Sequence, residues 1–600
     1  MIKFKDTMID NKSIAKIFYE IGDLLEIKGD NPFRIRSYRN AATIIETYGE
    51  SFEKLVREGS MDLQSISGIG EAISGKIKEI VETGDCKAHR DLLKEIPPTL
   101  LEIMQLQGIG PKTTAMLWKK KGVTTVEEVE QLAAGGKLQG LPGLGEKSEQ
   151  KILQSIQNRK KVSGRHLLGD AEQAAHQILD YLRASAPEKS VRARTGRPKT
   201  ASFLAVAAGS LRRGRETIGD VDILVTGKNC GTVIDRFTQF PEVEAVLAHG
   251  DTKGSIQLKN GLQIDLRVVE EKSFGAALQY FTGSKEHSVS LRSRAQKMGY
   301  TINEYGLYRV DKKGEKEDWV AGHTEEEIYE RLKLQFIPPE LRENRGEIEA
   351  AEKHELPSLI EQKNIRGDLH MHTTETDGHA TLREMVEAAQ ARGLEYIAIT
   401  DHTQSTRVAN GMDEKRLEKQ IQSIEKLKRN LKGFTLLKGT ECDILADGTL
   451  DLSDTILEQL DLVVVSIHSH FNQSSQEIMD RLERAFSNRH VKIFAHPTGR
   501  MLFHRPAYAI DMEKLFALAR KHKVCLELNS QPERLDLNDV HLRMARDKGV
   551  PIVISTDSHH TSHLDYLKYG ILTARRGWLE PRHVVNTLPV KQFLKTIARN

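Results

Sequence analysis

No run of eighteen apolar residues occurs in the sequence, so no segment reads as a membrane-spanning helix. The first residues, Met1-Ile2-Lys3-Phe4-Lys5-Asp6, lack the apolar stretch of a signal peptide. Cysteine is scarce: Cys86, Cys230, Cys442 and Cys525 lie far apart and form no CxxC pair. That excludes a disulfide framework and a zinc finger, and it fits a reducing cytoplasm. Neither sign of charge is in large excess, the formal net charge being +3. Any grip on a polyanion must therefore come from local clusters. Low-complexity tracts are absent too. What remains is a chain of 600 residues, 38% apolar and 29% charged. That is too long for one core, and it describes a soluble protein of several domains.

The first third carries apolar residues at helical spacing, such as Ile73, Ile77, Ile80 and Val81. One short motif recurs there: Gly68-Ile69-Gly70, Gly108-Ile109-Gly110 and Gly143-Leu144-Gly145, each opening a helical segment with Lys76, Lys112 or Lys147 nearby. Two glycines at a helix start let the backbone approach a phosphate, and the free N–H groups there point at it. Such contacts read no base, so binding would be independent of sequence and sensitive to salt. A helical bundle with glycine turns is the alternative. The stretches resemble the helix-hairpin-helix motifs of DNA repair proteins.

Between about 200 and 270 the pattern changes to strands, as in Phe203-Leu204-Ala205-Val206 and Val221-Asp222-Ile223-Leu224-Val225. Side chains alternate along a strand, so Asp220 and Asp222 share one face while Val221 and Ile223 face the core. Two carboxylates on one face repel unless cations lie between them. A third carboxylate comes from Ile264-Asp265-Leu266-Arg267. Three such groups suit two Mg²⁺ or Mn²⁺ ions that activate a 3′-hydroxyl and hold a triphosphate. Gly209, Ser210 and Arg213 in Gly209-Ser210-Leu211-Arg212-Arg213-Gly214 then offer backbone, hydroxyl and guanidinium donors to the phosphates. A solvated edge strand is the bland alternative for the DxD pair alone.

The whole segment resembles the nucleotidyltransferase palm of the family X, polymerase beta-like DNA polymerases. The likeness extends through Tyr280-Phe281-Thr282-Gly283-Ser284 and Thr301-Ile302-Asn303-Glu304-Tyr305-Gly306, which resemble that family's thumb motifs. It implies that Asp220, Asp222 and Asp265 are catalytic metal ligands. It also implies that Gly209, Ser210, Arg213, Gly219, Tyr280, Phe281 and Gly283 bind the nucleotide, and that Arg267 and Arg292 meet DNA. Tyr280 and Phe281 would form the wall that excludes a 2′-hydroxyl. The chain departs from the family at Lys285 and Ser288, where polymerase beta has an acidic residue and an asparagine, and at the long basic stretch 187–199. The first eighty or so residues resemble the family's small lyase domain, with Lys76 in the place of its Schiff-base lysine. Arg34 and Ala72 stand where other pocket lysines are usual, so Lys76 is read either as the amine of an active lyase or as a phosphate contact.

Ile337-Pro338-Pro339-Glu340-Leu341-Arg342 and the polar stretch after it read as a linker. From Gly367 onward short apolar runs alternate with helices, which predicts a β/α barrel. Histidines and acids stand where the apolar runs end: Asp368-Leu369-His370-Met371-His372, Asp401-His402, Glu441, His468, His496 and Asp557-Ser558-His559. The carboxyl ends of barrel strands form a common mouth, so these groups converge. Mixed imidazole and carboxylate ligands suit Mn²⁺, Zn²⁺ or Fe²⁺. The arrangement is similar to the polymerase and histidinol phosphatase (PHP) domain. That resemblance implies up to three metal ions on His370, His372, Asp377, His402, Glu441, His468, His496, Asp557 and His559, with Glu441 bridging, and a water activated for attack on phosphorus.

Together the resemblances predict a lyase-like domain over 1–90, helix-hairpin-helix fingers over 91–162, an α+β palm over 163–272, a thumb over 273–336, a linker over 337–365 and a distorted barrel over 366–600. They imply a cytoplasmic, monomeric enzyme that fills short gaps in repair from dNTPs on gapped or primer-template DNA and trims 3′ ends in the PHP domain. Abasic-site or 5′-deoxyribose phosphate processing is a further expectation. Two rivals remain: a PHP half that is a small-molecule phosphatase, and a non-catalytic scaffold that binds DNA ends.

Overall fold

Helix Asn11–Lys28 is laid down by Ile14, Phe18, Ile21 and Leu25, which recur at three- and four-residue spacing and are all buried. They pack against Tyr38, Ala41, Ala42 and Ile45 of helix Pro32–Thr47. The computed structural model describes residue 9 and residues 11–598 except 49–50, 60, 67, 105, 107, 139–143, 147, 154–155, 157–163, 185–202, 228–231 and 312–315, with the backbone alone at 12 and 47. Gly143, Lys147, Cys230 and the basic stretch 187–199 therefore lie outside the described residues. The chain forms two compact units, Met1–Ser163 with Phe503–Arg505, and the remainder. The first unit is helical among its described residues. Among those residues no helix is long and apolar enough to cross a membrane.

The second unit holds the palm, the thumb and the barrel. In the palm, a five-stranded sheet runs in the order Phe203–Ala207, Asp220–Gly227, Gln263–Val268, Lys253–Leu258, Val243–His249. The second and third of these strands are parallel, with Asp222 opposite Asp265; the other pairs are antiparallel. Val221, Ile223, Ile264 and Leu266 are fully buried in the palm's core on the face opposite the aspartates, as strand alternation requires. The thumb adds helices Phe274–Thr282, Lys285–Lys297 and Glu325–Arg331 to a three-stranded antiparallel sheet.

The barrel sheet has seven parallel strands in chain order, from Gly367–Asp368 through Tyr396–Ile399, Thr435–Asp443, Leu462–Ser466, Val491–Phe494 and Cys525–Asn529 to Ile552–Ser555. A parallel bridge between Met371 and Ser558 joins the last strand to the first, and the Asp368 carboxylate accepts from the Thr556 N–H at 3.1 Å across the same seam. Nearly every strand residue is buried, the mark of parallel strands covered on both faces. Phe593 of the final helix, Val590–Ile597, stacks on Tyr396 at 5.5 Å and closes one end of the interior.

The segment read as a linker is packed instead. Ile337, Leu341, Arg342, Glu347 and Ala351 are fully or almost fully buried, and the apolar ones belong to the thumb's core. The reason is local: Arg342 needs a buried carboxylate and finds Glu325 at 2.5 Å, while Glu347 takes His287 at 2.7 Å. The barrel also lends side chains to its neighbours. Leu535 and Tyr569 sit in the palm's core, and Trp578 sits in the thumb's.

Candidate metal centres and nucleic-acid contacts

In the first unit the glycine motif has a defined shape. Gly68 and Gly108 take left-handed φ values of 90° and 89°, and a Cβ on Gly68 would come within 2.4 Å of Ile44 Cδ1. The residue between the glycines is an anchor, Ile69 and Ile109 being buried. Gly70 and Gly110 then cap helices Glu71–Thr83 and Pro111–Lys121 with no side-chain cap on the first turn, where Pro111 has no N–H of its own to satisfy. At the third copy Leu144 is buried, and a helical turn starts from Gly145, whose carbonyl accepts from Ser148 and Glu149. Lys112 is exposed beside its motif. Lys76 lies half-buried, donating to the Ala72 carbonyl at 3.2 Å with its ammonium 5.8 Å from the Tyr38 ring. Arg34 pairs with Asp30 at 3.0 Å.

In the palm the structure brings Asp220, Asp222 and Asp265 to the end of two adjacent parallel strands. Burial, then Asp220 and Asp265, push the Asp222 carboxyl up to about 7. Three carboxylates held this close form a site that a cation would relieve. Gly209 approaches Asp222 so closely that a Cβ would lie 2.6 Å from Asp222 Oδ2, and its φ is +63°. Ser210 follows on the short helix Gly209–Arg212. Asp265 accepts from Ser255 Oγ and from Gln263 Nε2 at 3.2 Å. Gly219 abuts Arg165 rather than the acids: its Cβ would stand 3.5 Å from Arg165 Nη1. Arg267 lays its guanidinium 4.7 Å from the Phe281 ring, and Phe281 meets Tyr280 edge-on at 5.1 Å. Tyr280 and Arg292 are exposed, while Gly283 is buried beside Arg213, whose Nη1 donates to the Thr282 carbonyl. Arg213 is not an unengaged donor, because Glu343 binds its Nε at 3.0 Å.

In the barrel five of the nine groups named from the sequence, His370, His372, His402, His468 and His496, surround a sixth, Glu441. Its carboxylate stands 2.8 Å from His402 Nδ1, 3.0 Å from His496 Nε2, 3.4 Å from both His370 Nε2 and His468 Nε2, and 3.7 Å from His372 Nε2. Asp557 meets His372 at 3.1 Å, and Asp377 meets His559 at 3.5 Å and His402 at 3.6 Å. Three donor groups could each hold an ion: His372, Asp377, His402 and His559; His370, His372 and Asp557; His402, Glu441 and His468. The donor atoms fit that purpose, since His370 Nε2, His372 Nδ1 and Asp377 Oδ1 are buried without a hydrogen-bond partner. Charge is divided sharply. Burial and the His559 and His402 rings push His372 down to about 3. At His402 burial is outweighed by Glu441, which holds the imidazole up at about 9. Glu441 itself stays well below the carboxylate range because His402, His468 and His370 outweigh its burial.

Sequence reasoning passed over a second ring of acids behind these ligands. Glu527 binds His370 Nδ1 at 2.8 Å and accepts from the His496 N–H at 2.7 Å, and Asp443 binds His468 Nδ1 at 3.0 Å. Asn529 donates to Asp557 at 3.0 Å. Such partners fix the tautomer and direction of a ligating imidazole. The signal was present: Val524-Cys525-Leu526-Glu527-Leu528-Asn529 is an apolar strand pattern that ends in polar groups, as its neighbours do.

The fold, with a carboxylate cluster in one domain and a histidine-rich cluster in the other, is that of a palm-type nucleotidyltransferase joined to a barrel phosphoesterase. The DNA polymerase beta thumb family matches residues 277–343, helix-hairpin-helix domain families match 9–86 and 99–158, and the PHP domain matches 368–531. The DNA polymerase/3′-5′ exonuclease PolX of Bacillus subtilis is 39% identical over 591 residues, 98% of this chain and 99% of that protein. The chain belongs to that family, the bacterial family X DNA polymerases with a PHP domain. Part of the chain is similar to other proteins. A probable phosphatase of Thermoanaerobacter is 27% identical over 39% of this chain and 95% of its own length. DNA polymerase lambda of rat is 26% identical over 50% of this chain and 49% of its own.

Proposed function

We propose that the chain fills short gaps in DNA from dNTPs and shortens 3′ ends in its barrel. The observation that carries the reading is the coexistence, in one chain, of the Asp222–Asp265 parallel pair and the Glu441-centred histidine cluster, each in its own domain. The name of the Bacillus subtilis relative supports it. Asp220, Asp222 and Asp265 would hold Mg²⁺ or Mn²⁺, and the nine barrel groups would hold up to three ions of Mn²⁺, Zn²⁺ or Fe²⁺. Bound there, the metals lower the pKa of an attacking hydroxyl or water and neutralise charge building on phosphate oxygens.

The chain's own residues do the rest. Ser210 and the backbone at Gly209 offer donors to the triphosphate, and Arg213 adds a guanidinium from the thumb side. Tyr280 and Phe281, held by Arg267 behind the ring, wall off the sugar. The open helix starts at Gly70 and Gly110 would take backbone phosphates of primer-template or gapped DNA, and Arg292 would take the template strand. Lys76 would either attack a 5′-deoxyribose phosphate or hold the 5′ phosphate. A DNA substrate and scattered cysteines suit the cytoplasm.

The match to probable phosphatases favours a second reading in which the barrel hydrolyses a small phosphomonoester. Labelled gapped DNA incubated with and without dNTPs, in Mg²⁺ and in Mn²⁺, tests both. Extension with dNTPs and shortening without them is expected. Turnover of a small phosphomonoester with intact 3′ ends would favour the second reading.

A further inference from the structure

Residues 340–347, between thumb and barrel, are bonded alternately to three parts of the second unit. Glu340 binds Arg575 of the barrel at 2.7 Å, and Arg342 binds Glu325 of the thumb. Glu343 binds Arg213 of the palm at 3.0 Å and Arg576 of the barrel at 2.9 Å. Arg345 binds Asp539 of the barrel at 3.0 Å, and Glu347 returns to the thumb at His287.

Glu343 is one of the points where palm and barrel meet, and it is the one that holds Arg213. Arg576 ends the barrel helix Leu567–Arg576 and is only 4% exposed. Besides Glu343 it donates to the backbone carbonyl of Arg213 at 2.7 Å and to Asp539 at 2.8 Å. A barrel arginine thus holds both the backbone of Arg213 and the carboxylate that holds its side chain. Arg213 in turn lies against Thr282 and Gly283, and its charge is felt by Asp222. A long arginine side chain loses rotamer entropy on being fixed. Here that loss is met before a nucleotide arrives, which is what preorganisation supplies to binding.

We propose that Glu343 and Arg576 are positioning residues for nucleotide addition: acting through Glu343, a barrel arginine sets Arg213 at the triphosphate subsite, so the barrel completes the polymerase's nucleotide site. This rests on the reading of Arg213 as a triphosphate contact.

The test uses the full chain filling a one-nucleotide gap, with kcat and the KM for dNTP measured separately. Arg576→Ala and Glu343→Gln should each raise the dNTP KM about tenfold while kcat stays within about twofold. Arg576→Lys, which keeps the charge but not the fork, should recover only part of the loss. The double variant Glu343→Gln/Arg576→Ala should be little worse than the worse single variant, because both act on one chain of contacts. The 3′-trimming rate and the barrel metal content of Arg576→Ala should match the parent. Arg213→Ala calibrates the reading beneath the proposal and should raise the KM at least as far. If Arg213→Ala leaves the KM unchanged, that reading fails and the proposal falls with it. If Arg213→Ala raises the KM and neither Arg576→Ala nor Glu343→Gln does, the relay is wrong and Arg213 keeps its role. Should Arg576→Ala unfold, Glu343→Gln and Arg576→Lys decide the matter by the same criterion.

Discussion

Gly209 offers the sharpest perturbation, because one methyl group there separates two roles. Its φ of +63° lies in the left-handed region, which costs a residue with a Cβ about 1–2 kcal/mol. The added Cβ would also sit 2.6 Å from Asp222 Oδ2. Asp222 stands on a strand whose neighbours Val221 and Ile223 are fully buried, so the backbone cannot yield and the carboxylate must swing away. Restoring ordinary contact needs a shift of about 0.8 Å, and a reacting group misplaced by about 1 Å loses on the order of a hundredfold in rate. Rotating Asp222 off its preferred well adds about 0.5–1.5 kcal/mol. Gly209→Ala should therefore lower gap filling about a hundredfold at saturating dNTP, raise the Mg²⁺ needed for half-maximal rate, and destabilise the second unit by about 2–3 kcal/mol. Trimming of 3′ ends should stay intact. Gly250→Ala is the control, since a Cβ there meets only the Lys253 carbonyl at 3.5 Å. Pre-steady-state extension across an Mg²⁺ titration is the assay. A Gly209→Ala protein with near-parental kcat and Mg²⁺ demand would refute the argument. A raised dNTP KM alone would mean that Gly209 serves only as a backbone donor.

Asp222→Ala or Asp265→Ala removes one of three mutually repelling carboxylates, so nucleotide addition should vanish while 3′ trimming persists on labelled DNA. His372→Ala breaks two of the barrel's donor groups and Asp557→Ala breaks one of them. Both should lower bound metal, read by mass spectrometry, and cut 3′ trimming at least about a hundredfold with gap filling retained. Trimming at the parental rate would move the nuclease elsewhere. Mn²⁺ should support trimming better than Mg²⁺, because imidazole-rich sites bind Mg²⁺ poorly. For Lys76, borohydride should trap the protein on DNA bearing a 5′-deoxyribose phosphate and Lys76→Ala should lose the adduct. Equal trapping by the variant would assign the chemistry to another amine.

Groups that the proposed function sets against a ligand left clear marks in the chain. Asp220 and Asp222 announce a strand face by their spacing, and histidines after apolar runs announce strand ends, because both follow from side-chain alternation and barrel geometry. The glycine motifs were equally plain, since φ near +90° at Gly68 and Gly108 demands glycine. Glu527 was missed because a single acid inside Leu526-Glu527-Leu528 looks like one interruption of a strand. The strand pattern marks its place, but its partners His370 and His496 come from 157 and 31 residues away in sequence.

The stretch after Ile337 shows the deeper limit. Prolines followed by alternating charges are what a solvated connection looks like in sequence, and nothing local distinguishes it from a buried one. Burying Arg342 and Glu347 is tolerable only because Glu325, Arg212, His287 and Tyr329 close around them, and each lies at least 13 residues away along the chain. Removing one member of such a set leaves an uncompensated buried charge, which costs about 3–5 kcal/mol. A cut near residue 340 would do this several times over, freeing Glu325 from Arg342, His287 from Glu347 and Arg213 from Glu343. Separating the polymerase from its barrel at that point therefore damages the polymerase. A separable polymerase half would have to retain 340–351 and still replace what Arg575, Arg576 and Trp578 contribute from the barrel side.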